Sequence, residues 1–210
     1  MEFLQVNNFS LDNYILTLGI FIFSYFLGAI PFGLIISKVF GLGNLRNVGS
    51  GNIGATNVLR TGNKIAALAT LILDGGKGAL AVILARIISE DAAITASICV
   101  IVGHIYPVWM KFNGGKGVAT FIGVILALNF VAGVLVCSVW LIIALAFRYS
   151  SLAALISSIS ALLWVLFFYG DKALIVTLIM VMLIWLRHKE NIKRLIEGSE
   201  KKIGDHLFLL

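Results

Sequence analysis

The chain has 210 residues, of which 60% are hydrophobic and only 12% charged, with a formal net charge of +6. A soluble globule carries about a quarter charged residues, so the composition excludes one and marks an integral membrane protein. Nor does the positive balance mark a nucleic-acid binder, because the basic residues flank apolar runs and no basic or aromatic repeats interleave them.

Glu2 and Asp12 stand where a cleavable signal would carry positive charge, and the apolar run after them exceeds an h-region, so the first span is expected to stay. Apolar runs extend from Tyr14 to Val39, Ile65 to Ile88, Ala92 to Met110, Val118 to Phe147, Ser151 to Tyr169 and Ala173 to Leu186. The fourth would make a helix of about 45 Å against a hydrocarbon core of about 30 Å, and a break near Asn129 divides it in two. Seven crossings put Lys38, Arg46, Arg60, Lys64, Lys111, Lys116, Arg148 and the basic tail from Arg187 on one side, leaving Arg86 and Lys172 on the other. Six would split the positive charge and break the positive-inside rule. The expected fold is therefore an all-α polytopic bundle of seven transmembrane helices, N-terminus outside and C-terminus cytoplasmic. The helix breakers Pro31, Gly28 and Gly33 should be re-satisfied by neighbouring helices. Cys99 and Cys137 lie in apolar runs without metal-site spacing and read as small hydrophobes.

Between the first two runs lies Gly49-Ser50-Gly51-Asn52-Ile53-Gly54-Ala55-Thr56-Asn57. Glycines at every second or third position let successive N–H groups converge on an anion. A helix beginning near Ala55 or Thr56 adds its unpaired amides, and Arg60 a fixed charge. The same residues are ordinary turn formers, and a connection between two spans can carry them without a ligand.

Asp74-Gly75-Gly76-Lys77-Gly78 falls inside the second span, with Asp74 and Lys77 on one helical face. A neutralised pair tolerated for packing is the bland reading, while a charge within a span is a functional hypothesis by default. Asn113-Gly114-Gly115-Lys116-Gly117-Val118-Ala119-Thr120 repeats Gly-Gly-Lys-Gly at a helix start, where amides and an ammonium converge on an anion. Neither copy is a P-loop, because Gly78 and Gly117 follow the lysines where Ser or Thr is required. His104 lies near the end of the third span, and His188 and Asn191 in Arg187-His188-Lys189-Glu190-Asn191 reach the same face, spaced to point one way. A satisfied structural histidine and a lipid-facing basic tail are the plain alternatives. Ser150 and Ser151 suit a helix cap.

GSGNIGATNVLR, the Lys-Gly element after Asp74, GHIYPVWMKFNGGKGVAT and RHKENIKRLIEGSE resemble, in order and approximate spacing, the bacterial acyl-phosphate:glycerol-3-phosphate acyltransferases, the PlsY family. The likeness covers nearly the whole chain. It implies a seven-helix enzyme of the bacterial cytoplasmic membrane, with its active site on the cytoplasmic side. Such an enzyme moves a fatty acyl group from acyl phosphate to the sn-1 hydroxyl of glycerol 3-phosphate, giving lysophosphatidic acid and phosphate. No cofactor or metal is implied, and the implied partners are the two substrates, the bilayer and a soluble enzyme that makes acyl phosphate. Carried over by motif position, Ser50 and its neighbouring glycines Gly49 and Gly51 would face the donor phosphate, with Asn52, Gly54, Thr56 and Asn57 as substrate-binding candidates. Arg60, Lys116, His188 and Asn191 contact the substrate anions, with Gly114, Gly115, Gly117, Lys77 and Ser150 as further binding candidates. Ser50, His104, His188 and Asn191 are the catalytic candidates.

Direct attack of the acceptor hydroxyl on the mixed anhydride is expected. The proton goes to His104 or to a donor phosphate oxygen, and a Ser50 nucleophile is the competing version. An acyl-CoA enzyme of the histidine–aspartate type is disfavoured, because Trp109 and Lys193 stand five residues after His104 and His188. Asp74 alone does not make the aspartate cluster of the CDP-alcohol phosphotransferases. A carrier for a phosphorylated metabolite shares the anion pocket but would place its polar groups at mid-membrane.

Overall fold

The computed structural model describes residues 11–205, so the expectation resting on Glu2 lies outside it. Ten α-helices and two 3-10 turns make up the described chain, without strands. α1 (Leu11–Ala29) and α2 (Phe32–Val39) are one apolar run bent by 40° at Pro31. The chain continues through α3 (Ala55–Leu59), α4 (Lys64–Arg86), α5 (Glu90–Ile105), α6 (Val118–Leu128), α7 (Phe130–Phe147), α8 (Ser150–Phe168), α9 (Asp171–Arg187) and α10 (Lys189–Ile196).

Four segments are long and apolar enough to cross a bilayer, namely α4, Glu90–Met110, α7 and α8, and the bent pair makes five. That is fewer than the seven crossings read from the sequence. The break falls at Asn129 as expected, and it leaves α6 with 11 residues, a rod of about 16 Å. Asn129 ends α6 and caps α7, its side chain accepting the Ala132 amide at 3.0 Å and donating to Phe168 O at 3.3 Å. The outward faces stay apolar, with Ile72, Ile83, Leu163 and Ile175 all more than half exposed, the surface expected of helices solvated by lipid.

Two ends of the bundle are chemically distinct. At one, Arg86 donates to Glu90, to the Ala127 and Leu128 carbonyls that end α6, and to the Tyr169 hydroxyl, while Lys172 pairs with Asp91 at 2.9 Å. At the other gather the C-terminal ends of α5, α7 and α9, the N-terminal ends of α4, α6 and α8, and the loop before α3.

Small residues let the helices approach closely. A Cβ on Gly123 of α6 would lie 1.9 Å from Gly75 O, and one on Gly78 would lie 2.3 Å from Thr120 O, so backbone meets backbone where α4 crosses α6. α1 and α5 cross in the same way, Gly28 against Val100 O and Gly103 against Tyr25 O. The carbonyls near Pro31 find partners on neighbours, as the sequence requires of a broken helix in lipid. Trp109 Nε1 donates to Ala29 O at 2.8 Å, and Lys77 Nζ donates to Ile30 O at 2.7 Å.

Candidate active site

A cavity of about 750 Å³ opens at the end where the glycine loop lies. Its polar part is lined by Ser50, Asn52, Gly54, Thr56, Asn57, Arg60, His104, Lys116, Gly117, Ser150, His188 and Asn191. Twelve residues singled out from the sequence thus meet at one place. Leu68, Leu71 and Ile72 of α4, Ile122 and Leu126 of α6, and Trp140 of α7 line the apolar remainder.

The glycine loop is built around Asn57. Its Nδ2 donates to Leu45 O at 3.0 Å, and its Oδ1 accepts from the Ser50 amide at 3.1 Å and from Arg60 Nη1 at 3.3 Å. Asn57 lines the cavity, yet its polar atoms are spent on shaping the loop. Gly49 and Gly51 do not line it. Both take positive φ, and a Cβ on Gly49 would lie 2.6 Å from Asn57 Oδ1, so they turn the chain and leave contact to Ser50. α3 starts at Ala55 as expected, but its five residues contribute little dipole. The Ser50 amide is already given to Asn57 and the Gly51 amide to Val48 O, so the polar groups this stretch presents to the cavity include the Ser50 and Thr56 hydroxyls and Arg60. Thr56 Oγ1 lies 3.0 Å from Ser150 Oγ, which ties α3 to α8, so Ser150 does not cap its helix.

The second glycine element departs from the cradle read in the sequence. The Gly114 amide donates to Ile105 O at 3.0 Å and the Gly115 amide to His104 O at 3.1 Å, so both donors are consumed by the end of α5. Neither glycine lines the cavity. A Cβ on Gly115 would lie 2.2 Å from His104 Nε2, and one on Gly114 2.1 Å from His104 O, which explains the residue type without a ligand. What this element presents to the cavity is Lys116, Gly117 in the left-handed region at φ 83°, and the start of α6.

Lys77 also departs from its expected place. It is buried, pairs with Asp74 at 2.7 Å, donates to Ile30 O, and does not line the cavity. Asp74 does line it, and its Oδ1 lies 3.7 Å from His104 Nδ1, which is 3.2 Å from Thr120 Oγ1.

Lys116 Nζ bonds Asn191 Oδ1. Burial pushes its ammonium down to about 8, Glu200 opposes the shift, and the charges of Arg194, Arg60 and Arg187 add to it. His188 Nδ1 lies 2.8 Å from Ile184 O, so Nδ1 carries the proton and Nε2 is an acceptor. Burial and then the Lys116 charge bring His188 down to about 4, leaving it neutral at physiological pH.

Sequence reasoning missed Glu200. Its Oε1 accepts from Ser151 Oγ at 2.7 Å and from Asn191 Nδ2 at 2.6 Å, and its Oε2 from Arg194 Nε at 2.6 Å. Burial alone would raise the carboxyl, and these donors together with the Arg194 charge bring it below the ordinary value. The one available signal was an acid closing a basic tail. Glu200 is reached because residues 199–205 fold back over the mouth, where Arg60 donates to Lys201 O and Arg148 to Ile203 O.

Lipid-facing helices enclosing a cavity that is cationic at its mouth and apolar within define an integral membrane protein with an amphiphilic pocket. The chain belongs to the glycerol-3-phosphate acyltransferase family, whose family model matches residues 18–198. It is 56% identical over 182 residues to the glycerol-3-phosphate acyltransferase of Dinoroseobacter shibae, covering 86% of this chain and 90% of that one. To the protein of that name from Brucella anthropi it is 51% identical over 188 residues, 89% and 93% of the two chains. The crystal structure of PlsY, an integral membrane glycerol 3-phosphate acyltransferase, in its glycerol 3-phosphate form superposes with a TM-score of 0.87 at 39% identity, over 92% of this chain and 98% of that one. Its lysophosphatidic acid form gives 0.82 at 36% identity, over 91% and 98%.

Proposed function

We propose that the chain transfers a fatty acyl group from acyl phosphate to the sn-1 hydroxyl of glycerol 3-phosphate, yielding lysophosphatidic acid and phosphate. The observation that carries this reading is one cavity joining the Ser50 loop and Lys116 to the apolar wall of α4, α6 and α7. Two phosphate-bearing substrates need two anion sites, and an acyl chain needs a dry slot beside them.

The Ser50 loop holds the donor phosphate, while Lys116, Arg60, His188 and Asn191 hold the acceptor. The acceptor hydroxyl attacks the donor carbonyl and phosphate leaves. Transfer then rests on positioning two mutually repelling anions and stabilising the developing oxyanion. A donor phosphate oxygen takes the hydroxyl proton. His188 at about 4 is a weak base at neutral pH, and His104 Nε2 is packed against Gly115. Ser50, His104, His188 and Asn191 therefore orient substrates, and the reaction needs neither metal nor cofactor.

In this reading the chain crosses a bacterial cytoplasmic membrane seven times, α6 and α9 being short crossings, with its N-terminus outside and its active site and C-terminus in the cytoplasm. A soluble enzyme producing acyl phosphate supplies the donor.

Purified protein given glycerol 3-phosphate and palmitoyl phosphate, with chelator present, is expected to form lysophosphatidate and release phosphate, and to form none with palmitoyl-CoA. Turnover with palmitoyl-CoA alone would overturn the donor assignment. Glycerol 3-phosphate uptake into sealed vesicles without any donor would favour a carrier.

A further inference from the structure

Arg46, Asn113 and Arg187 surround the cavity without lining it. Arg46 donates from Nη1 to Gly51 O at 3.3 Å and from Nη2 to Asn113 O at 2.5 Å. From the opposite side Arg187 donates from Nη2 to Asn113 Oδ1 and Gly114 O and from Nε to Gly115 O, each at 3.4 Å. Two guanidiniums thus grip three consecutive residues, and one of them also holds the glycine loop.

Neither makes an ion pair with a carboxylate among the described residues. Like charges side by side repel, and Arg46 is pushed below the ordinary guanidinium value by burial and by Arg187. What holds the pair together is their fork geometry, which reaches several oxygens at once as an ammonium does not. The oxygens belong to the two loops that bear the site.

We infer that Arg46 and Arg187 are positioning residues that clamp the Ser50 loop and the Lys116 loop at a fixed separation through Asn113–Gly115. The inference rests on the two-substrate reading above. The donor phosphate is held at the Ser50 loop and the acceptor by Lys116, Arg60, His188 and Asn191, and neither Arg46 nor Arg187 hydrogen-bonds any of these side chains, so each substrate alone keeps its ligands when the clamp is released. Transfer depends on the distance between the loops, and a displacement of about 1 Å costs about 10²-fold in rate. The clamp therefore acts on kcat and leaves single-substrate binding nearly intact.

The test uses the full chain in detergent with Arg46→Gln, Arg46→Lys, Arg187→Gln and the Arg46→Gln/Arg187→Gln double variant. Two quantities are read, namely kcat with saturating palmitoyl phosphate and glycerol 3-phosphate, and the Kd of glycerol 3-phosphate alone by calorimetry. Arg46→Gln is expected to lose about 100-fold in kcat with less than threefold change in Kd. Arg46→Lys, which keeps the charge and loses the fork, is expected to fall with it. The double variant loses little more than the worse single one, because both act through one bridge. Unchanged kcat in Arg46→Gln, or recovery in Arg46→Lys, overturns the clamp in favour of a plain charge. A Kd that rises as far as kcat falls overturns it in favour of a binding or folding role. Should Arg46→Gln not stay monodisperse, Arg187→Gln carries the same readings from the other side. An inactive wild type overturns the functional reading and the clamp with it, whereas an active wild type with unimpaired variants overturns the clamp alone.

Discussion

Lys116 shows how a residue type becomes a property only in its surroundings. As a lysine at a helix start it reads as an anion ligand, and the structure places it on the cavity wall, bonded to Asn191. Its proton affinity near 8 depends on burial, Glu200 and three arginines, none of which a local motif reveals. Below pH 8 the ammonium is charged and ready for a phosphate. Above it, binding must first take up a proton, because a bound anion favours the charged form. The Kd for glycerol 3-phosphate, measured by calorimetry, is therefore expected to be level between pH 7 and 8 and to rise toward tenfold per unit above it, with proton uptake on binding. Lys116→Arg should flatten that limb, since a guanidinium stays charged. Gly114 and Gly115 carry the opposite lesson. The sequence offers them as donors to a ligand, and they fail because α5 ends where its last carbonyls need partners, a meeting of residues nine and eleven apart that no local pattern displays.

At the scale of elements, the helices and the break at Asn129 are legible because apolar runs and a side chain able to cap are local signals. The near-repeat of Gly-Gly-Lys-Gly is legible as a string and misleading as a function. In α4 two of its three glycines serve a helix crossing, Gly75 against Gly123 and Gly78 against Thr120, while Gly76 faces the cavity, and its lysine serves a broken neighbour. Gly123→Ala, which would put a methyl 1.9 Å from a backbone carbonyl, is expected to destabilise the protein by about 1–3 kcal/mol, the ordinary penalty of overpacking. Gly19→Ala on α1, with nothing within 4 Å of the new methyl, should leave stability unchanged or raise it by up to about 1 kcal/mol through helix propensity. Thermal unfolding in detergent compares the two. Equal midpoints would remove the crossing as the reason for the glycine.

For the whole molecule, the structure supplies the rods and the positive-inside rule predicts their orientation. Lys172 and Lys189 lie at opposite ends of α9 and its extension. In cells carrying Lys172→Cys or Lys189→Cys in a background lacking Cys99 and Cys137, a membrane-impermeant maleimide is expected to label position 172 from outside and position 189 only after permeabilisation. Labelling of position 189 from outside and of position 172 only after permeabilisation would reverse the proposed topology, and labelling of both from outside would remove α9 as a crossing. The mouth was less legible than the bundle, because Glu200 joins Asn191 and Ser151 only once the chain has turned back on itself, and the sequence separates Ser151 from Glu200 by 49 residues. The bend at Pro31 extends this to mechanics. α2 hands the chain to the Ser50 loop, and the bend is held by Lys77 of α4 and by Trp109 in the 3-10 turn after α5. Lys77 is in turn paired with Asp74, which lines the cavity, so one buried ion pair joins the lipid-embedded elbow to the wall of the site.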